Sequence, residues 1–244
     1  RQEVVRRIRN CIQPNEVQQK PWSNDMVLRP TQELALSEMM RSHQHGLSIF
    51  LWMLVGQGKT LTVLSYLQRT NMSKYVMWAL PNEALDSVAT QIGRVGWKPI
   101  IYFPSETLFS KYNGPFEKRY PNPKLIFEEG TVAIVRHDDL RRFSKRGLFD
   151  RVMPDTAFIF DEVHKAMASS TQRTSSALRM AKIAKQVVAL TGTPIVNKSA
   201  YGLMQWLKFC VPFPLTISNF WVGANSMVSE LNSGHVKVMD KTIR

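Results

Sequence analysis

Leu51-Trp52-Met53-Leu54-Val55-Gly56-Gln57-Gly58-Lys59-Thr60, followed by Leu61-Thr62-Val63-Leu64, decides the fold of this chain. An apolar run stops at two glycines, and a helical pattern begins at Lys59. Glycines let successive backbone N–H groups curl around phosphate oxygens, and a helix opening at that point turns its positive end toward them. The Lys59 side chain is long enough to reach the terminal phosphates of a nucleotide, and the Thr60 hydroxyl is a ligand for Mg²⁺. The full phosphate-loop pattern opens with a glycine where this chain has Met53, so the motif is the shortened G-x-G-K-T form.

Outward from this loop the chain alternates. Short apolar runs at 48–55, 75–80, 99–103, 131–135, 156–160 and 186–190 read as strands. Most are continuously apolar, as strands covered on both faces are. Helical patterns fall between them, at 31–42, 59–70, 82–95, 174–184 and 199–210. The alternation predicts an α/β fold, a mostly parallel sheet with helices on both faces. Three stretches break it. Residues 1–25 are a polar, basic arm, residues 104–130 carry several prolines and read as an inserted excursion, and residues 211–244 lose the rhythm after Val211-Pro212-Phe213-Pro214. The expected organisation is therefore an arm at 1–25, one domain at 26–210, and an extension or linker at 211–244. Residue 1 is Arg, so the sequence reads as a piece of a longer or processed chain.

Composition narrows the function. Lys and Arg total 32 against 19 for Asp and Glu, a net charge of +13 over 244 residues. Such a surface attracts polyanions, with nucleic acid the first expectation and an anionic membrane the second; a face that aids solubility or docks on an acidic partner is the plainer reading. No Asp or Glu occurs from Val163 to Ser229. Further cations cluster at Arg136, Arg141, Arg142, Lys145, Arg146 and Arg151, and at Arg1, Arg6, Arg7 and Arg9. Cys11 and Cys210 are too few for a disulfide framework, which points to a reducing, intracellular setting. No apolar run is long enough to cross a bilayer as a helix, so no membrane partner is expected.

Three more motifs follow the strand pattern. Asp161-Glu162-Val163-His164 comes directly after the apolar run 157–160, about a hundred residues beyond Lys59. A carboxylate at the end of a buried strand can hold Mg²⁺, and its neighbour can position and deprotonate an attacking water. Leu190-Thr191-Gly192-Thr193-Pro194-Ile195-Val196-Asn197 follows the last strand. Its threonines are placed to bond to the acidic motif, or the segment is an ordinary turn with a helix starting at Pro194. Leu28-Arg29-Pro30-Thr31-Gln32 opens the first helical pattern; Gln32 is either a surface residue or a reader of an adenine edge.

In that order the four motifs resemble the first RecA-like domain of superfamily 2 helicases and translocases, in particular the chromatin-remodeller-like, DEXH-box branch. Viral transcription-associated ATPases and restriction translocases share this core. The resemblance covers residues 26–210. It implies a RecA-like P-loop fold, ATP and Mg²⁺ as cofactors, and a nucleic acid, DNA or RNA, as partner. It implies Gln32 for adenine and Gly56, Gln57, Gly58, Lys59 and Thr60 for the phosphates. Thr60 and Asp161 would hold Mg²⁺, and Lys59, Asp161 and Glu162 would carry catalysis with Glu162 as base. His164, Thr191 and Thr193 would couple nucleotide state to nucleic-acid grip. The second RecA-like lobe of such enzymes supplies arginines in a Q-x-x-G-R-x-x-R motif that this sequence lacks. Weak hydrolysis by this chain alone is therefore expected, with a second lobe or larger assembly completing the site.

The resemblance thins at the nucleic-acid motifs. Leu80-Pro81-Asn82 stands where the family often has Ala-Pro and a small or basic residue, and Arg136-His137 where the branch often has Thr-Tyr. A nucleotide switch or scaffold without translocation is the alternative. A small-molecule kinase would need neither the acidic box nor the T-G-T-P motif. Departures between intact motifs point to a viral source. Trp52, Phe158 and Phe160 are expected in the core, and Met39 and Met40 in ordinary helix packing. Trp22, Trp97, Phe103 and Tyr112 either stack on bases or anchor their loops. His43 and His45 lack a third metal ligand nearby.

Overall fold

The computed structural model describes residues 27–70, 75–120, 130–145, 147, 150–166 and 172–192. The arm at 1–25, the extension at 211–244, the helical pattern at 199–210, Trp22 and Thr193 lie outside them. In chain order the elements are α1 (Pro30–Gln44), β1 (Ile49–Trp52), α2 (Lys59–Thr70), β2 (Tyr75–Leu80), α3 (Leu85–Arg94), β3 (Lys98–Tyr102), α4 (Glu106–Lys111), β4 (Glu117–Arg119), β5 (Thr131–Arg136), α5 (Leu140–Lys145), β6 (Thr156–Phe160), α6 (Val163–Ala166), α7 (Gln172–Ile183) and β7 (Gln186–Thr191).

The strands form one seven-stranded sheet in the order β1-β7-β6-β2-β5-β3-β4, every pairing parallel. Parallel neighbours need crossovers, and the crossover helices cover both faces. Successive strand residues therefore enter different cores. Val76, Trp78 and Leu80 join Leu36, Val63, Tyr66, Val88 and Ile92 from α1, α2 and α3. Met77 and Ala79 join Leu140, Phe143, Ala177 and Met180 from α5 and α7. The continuous apolar runs arise because both faces need them.

β1 is the exception, being an edge strand. Its residues alternate buried and exposed, and Trp52 is 53% exposed. The core position expected for Trp52 is thus wrong, whereas Phe158 and Phe160 are fully buried. Strand β1 also ends earlier than its apolar run. Met53 makes one more ladder bond, N–H to the Thr191 carbonyl at 3.3 Å, and the chain then leaves the sheet.

The helix read over 82–95 begins as a 3₁₀ turn at Asn82–Ala84 before α3. The described part of the excursion, 104–120, holds more order than a loop. Ser105 caps α4 by accepting from the Leu108 N–H, and β4 adds an edge strand beside β3. Phe103 is buried, and Trp97 and Tyr112 pack against the same core, so these aromatics anchor the segment. Among the described residues no helix is long and apolar enough to cross a membrane.

Candidate nucleotide site

Loops leaving the carboxyl ends of β1, β6 and β7 converge on one place. The order β1-β7-β6 explains why: the strand carrying the phosphate loop is separated from the acidic box by β7 alone. The loop is held by its own side chain and by Gln32. The Leu54 N–H donates to Gln57 Oε1 at 3.0 Å, and the Gln57 N–H returns to the Leu54 carbonyl at 3.2 Å. Gly56 and Gly58 adopt φ of 83° and 86°, a left-handed conformation that side chains resist. Gly58 has a second reason to be glycine, since a Cβ there would lie 2.1 Å from Gln32 Nε2.

Gln32 is 4% exposed, so the surface reading fails. Its Oε1 accepts from the Arg29 N–H at 2.8 Å, and its Nε2 donates to the Gln57 carbonyl at 3.1 Å. The amide ties the start of α1 to the phosphate loop.

Lys59 opens α2 and bends back over the loop. Its Nζ donates to the Met53 carbonyl at 3.3 Å and lies 3.7 Å from Glu162 Oε1. Thr60 follows it in the first turn, nearly buried. Gly192, at the end of β7, leaves room for this arrangement: a Cβ there would lie 3.0 Å from Val55 and 3.2 Å from Lys59 Nζ.

Asp161 and Glu162 leave β6 together and differ sharply. Asp161 is 5% exposed, and its Oδ1 accepts from the Glu162 N–H at 2.9 Å. Burial pushes its carboxyl up to about 6, and the neighbouring Glu162 charge adds to the shift. Glu162 sits at φ 45°, among the described residues the one non-glycine in the left-handed region. Such a conformation costs free energy and marks a position that the surroundings impose. The turn aims Glu162 back across the site, where its Oε2 accepts from the Gly192 N–H at 3.3 Å.

His164 completes the link to β7. Its Nδ1 lies 2.9 Å from Thr191 Oγ1 and 3.3 Å from Glu162 Oε2. Burial lowers its pKa, with the Glu162 charge opposing, which favours the neutral ring. Lys59, Thr60, Asp161, Glu162, His164 and Thr191 are thus brought together. A cavity of about 320 Å³ opens beside Glu162 and His164, walled by Val55, Pro81, Glu83 and Lys165. Lys165 and Glu83 form an ion pair across it.

The loops after β2 and β5 form a second region. A cavity of about 460 Å³ is lined by Leu108, Arg136, Asp138, Asp139, Arg141, Arg142 and Lys145. Arg136 pairs with Asp139 at 2.6 Å and reaches Asn82 Oδ1 at 3.5 Å. His137 turns inward and stacks on Phe160, with ring centroids 4.5 Å apart. His43, weighed as a metal ligand, faces the Tyr66 hydroxyl at 3.1 Å, and no cluster of three metal-ligating side chains occurs among the described residues.

A model of the family described as "Type III restriction enzyme, res subunit" matches residues 25–196. The chain belongs to that family. Among curated relatives, "SWI/SNF-related matrix-associated actin-dependent regulator of chromatin subfamily A containing DEAD/H box 1" of Mus musculus is 26% identical over 206 residues. The match covers 81% of this chain and 19% of the relative. The Homo sapiens protein of the same name is 26% identical over 211 residues, covering 83% of this chain and 19% of that one. The chain thus spans about a fifth of the length of these relatives. Neither relative is viral, and the viral source suggested by the sequence has no support.

Among solved structures, "Sulfolobus solfataricus SWI2/SNF2 ATPase core in complex with dsDNA" aligns with a TM-score of 0.60 at 19% identity. It covers 82% of this chain and 39% of that one. The nuclease-deletion mutant of the Type ISP restriction-modification enzyme LlaGI, in complex with a DNA substrate mimic, gives 0.52 at 14% identity. That match covers 70% of this chain and 18% of that one. The fold is the RecA-like α/β domain, and over that domain the chain is similar in sequence to chromatin-regulator relatives.

Proposed function

We propose that this chain is the ATP-binding lobe of a nucleic-acid-dependent ATPase, and that the polymer is DNA. The observation that carries the reading is the meeting of Lys59, Asp161 and Glu162 at the N-terminus of α2, with Glu162 held by the Gly192 N–H. The backbone N–H groups of the glycine loop and the first turn of α2 supply a phosphate cradle. Lys59 would exchange the Met53 carbonyl and Glu162 for phosphate oxygens, leaving Glu162 free to accept a proton from water.

The fit to Mg²⁺ rests on donor chemistry. Thr60 offers a hydroxyl and Asp161 a carboxylate, both hard oxygen ligands, and the buried Asp161 charge is one that a cation would stabilise. Mg²⁺ held there would neutralise charge on the transferring phosphoryl group. Gln32 would reach adenine only by releasing the loop carbonyls it now holds. His164 and Thr191 would pass the state of Glu162 toward the strand ends, a role the resemblance also implies for Thr193.

A nucleic acid is favoured by the net charge of +13 and by the basic cavity at Arg136–Lys145, and DNA by the DNA complexes of both solved structures. The low cysteine content accords with a reducing, intracellular setting. One observation favours a nucleotide switch instead: Arg136 is engaged by Asp139 and His137 is buried, so neither is presented to a strand. Titration of the chain with a fluorescent ATP analogue and Mg²⁺ tests the nucleotide site. Saturable binding weakened at least tenfold by Lys59→Ala supports it; equal binding by that variant contradicts it.

A further inference from the structure

β2 runs through the middle of the sheet between β6 and β5. Its Trp78 is fully buried. A buried indole carries one N–H that needs an acceptor, and it has no acceptor capacity of its own. Here the Nε1–H donates to Asp161 Oδ2 at 3.4 Å. The register explains how residues 83 positions apart meet. Trp78 lies opposite Ile159 on β6, and Asp161 follows two positions later on the same face of the strand. The Asp161 N–H donates to the Ala79 carbonyl at 2.8 Å, which carries the β2–β6 ladder past the end of β6.

Asp161 is therefore held at three points: its backbone by Ala79, Oδ1 by the Glu162 N–H, and Oδ2 by the indole. Each carboxylate oxygen accepts one bond and keeps capacity for a cation. The two side-chain bonds together fix the rotation of the carboxylate plane, which neither does alone. Outer partners of this kind orient metal ligands, and losing one typically weakens metal binding by about tenfold to a hundredfold. We infer that Trp78 is a positioning residue that holds Asp161 in the rotamer in which it meets a divalent cation. The inference rests on the proposed nucleotide site.

Mn²⁺ binding to the 244-residue chain with ADP, read by electron paramagnetic resonance, tests it. Trp78→Phe removes the donor and keeps an aromatic ring. This variant is expected to bind Mn²⁺ about tenfold more weakly, with ADP affinity in EDTA unchanged. A purely structural role would move both affinities or neither, and either of those results overturns the inference. Failure of the unaltered chain to take up Mn²⁺ overturns the nucleotide-site reading and the inference with it. A measurement on the unaltered chain covers the case in which Trp78→Phe does not fold. The Trp78 indole N–H resonance is expected to shift when Mg²⁺ joins bound ADP and not with ADP alone. An unmoved resonance overturns the role.

Discussion

The loops after β1 and β6 and the loops after β2 and β5 both carry charge, and they hold it differently. At the first, Lys59, Asp161 and Glu162 are largely buried and fastened to backbone groups: Lys59 to Met53, Glu162 to Gly192, Asp161 to the Glu162 N–H. At the second, Asp139 is buried against Arg136, while Arg141 is exposed and Arg142 is 58% exposed on its side chain. Buried charge acts at fixed geometry and full strength; exposed charge acts as a field and is screened by salt. On the proposed function, the first region would do chemistry on one small ligand and the second would attract an extended one.

This contrast is sharpest in hydrolysis. Glu162→Gln keeps the shape and removes the base, and is expected to lower ATP turnover by at least about a hundredfold. Lys59→Ala is expected to do the same, with weaker nucleotide binding added. Steady-state phosphate release checks both. Arg141→Ala and Arg142→Ala are expected to leave basal turnover within about twofold, since each alters only an exposed charge. A large loss of basal turnover in these two variants would erase the distinction between the regions.

Stability gives the next largest effects. Gly58→Ala meets both the positive φ and Gln32, so a loss of about 1–3 kcal/mol is expected in denaturant unfolding. Adding Gln32→Ala removes the contact and leaves the backbone strain, so the double variant should recover only part of that loss.

Asp161→Asn has an effect that depends on pH. The Asp161 carboxyl titrates near 6 in the folded chain, above its ordinary value of 3.8. The folded state therefore holds the proton more tightly, and stability falls as pH rises from about 4 to 6. The amide carries no charge, but its NH₂ must face either the Glu162 N–H or the Trp78 indole N–H, so one buried donor loses its acceptor. The stability of Asp161→Asn relative to the unaltered chain is expected to rise by about 1–3 kcal/mol from pH 4 to pH 8 without ligand, while the variant loses Mg²⁺-dependent nucleotide binding. Unfolding curves at pH 4, 6 and 8 check the sign: the relative stability of the variant should grow with pH.

The smallest effect belongs to the outer cations. Each of Arg141→Ala and Arg142→Ala is expected to shift unfolding by under about 0.5 kcal/mol. Each should also reduce the slope of log affinity for duplex DNA against log salt by about one. Binding isotherms at several salt concentrations provide the check. An unchanged slope would mean that these arginines face no phosphate.

Much of the first region was legible from residue order. Helix α2 begins at Lys59 and β6 ends at Phe160, as read, because glycines and acidic residues interrupt apolar runs at those points. The interlock was not legible. No local pattern reveals that Glu162 takes a positive φ, that Gln32 keys against Gly58, or that Trp78 meets Asp161, since each depends on strand order in three dimensions. Trp52 was misplaced for the same reason: an apolar run does not say whether its strand lies at an edge. In the second region the sequence showed charge without arrangement. The helices α4 and α5 and strand β4 are three to six residues long, too short for a periodicity to declare itself.

The most direct test is steady-state ATP hydrolysis by this chain, alone and combined with a second RecA-like lobe. It is run without polymer and with single-stranded DNA, duplex DNA or RNA, with Glu162→Gln as blank. A nucleic-acid-dependent ATPase acting on DNA gives a rate raised at least tenfold by DNA and abolished in the blank. A rate that no polymer changes, or one that survives in Glu162→Gln, would contradict that function.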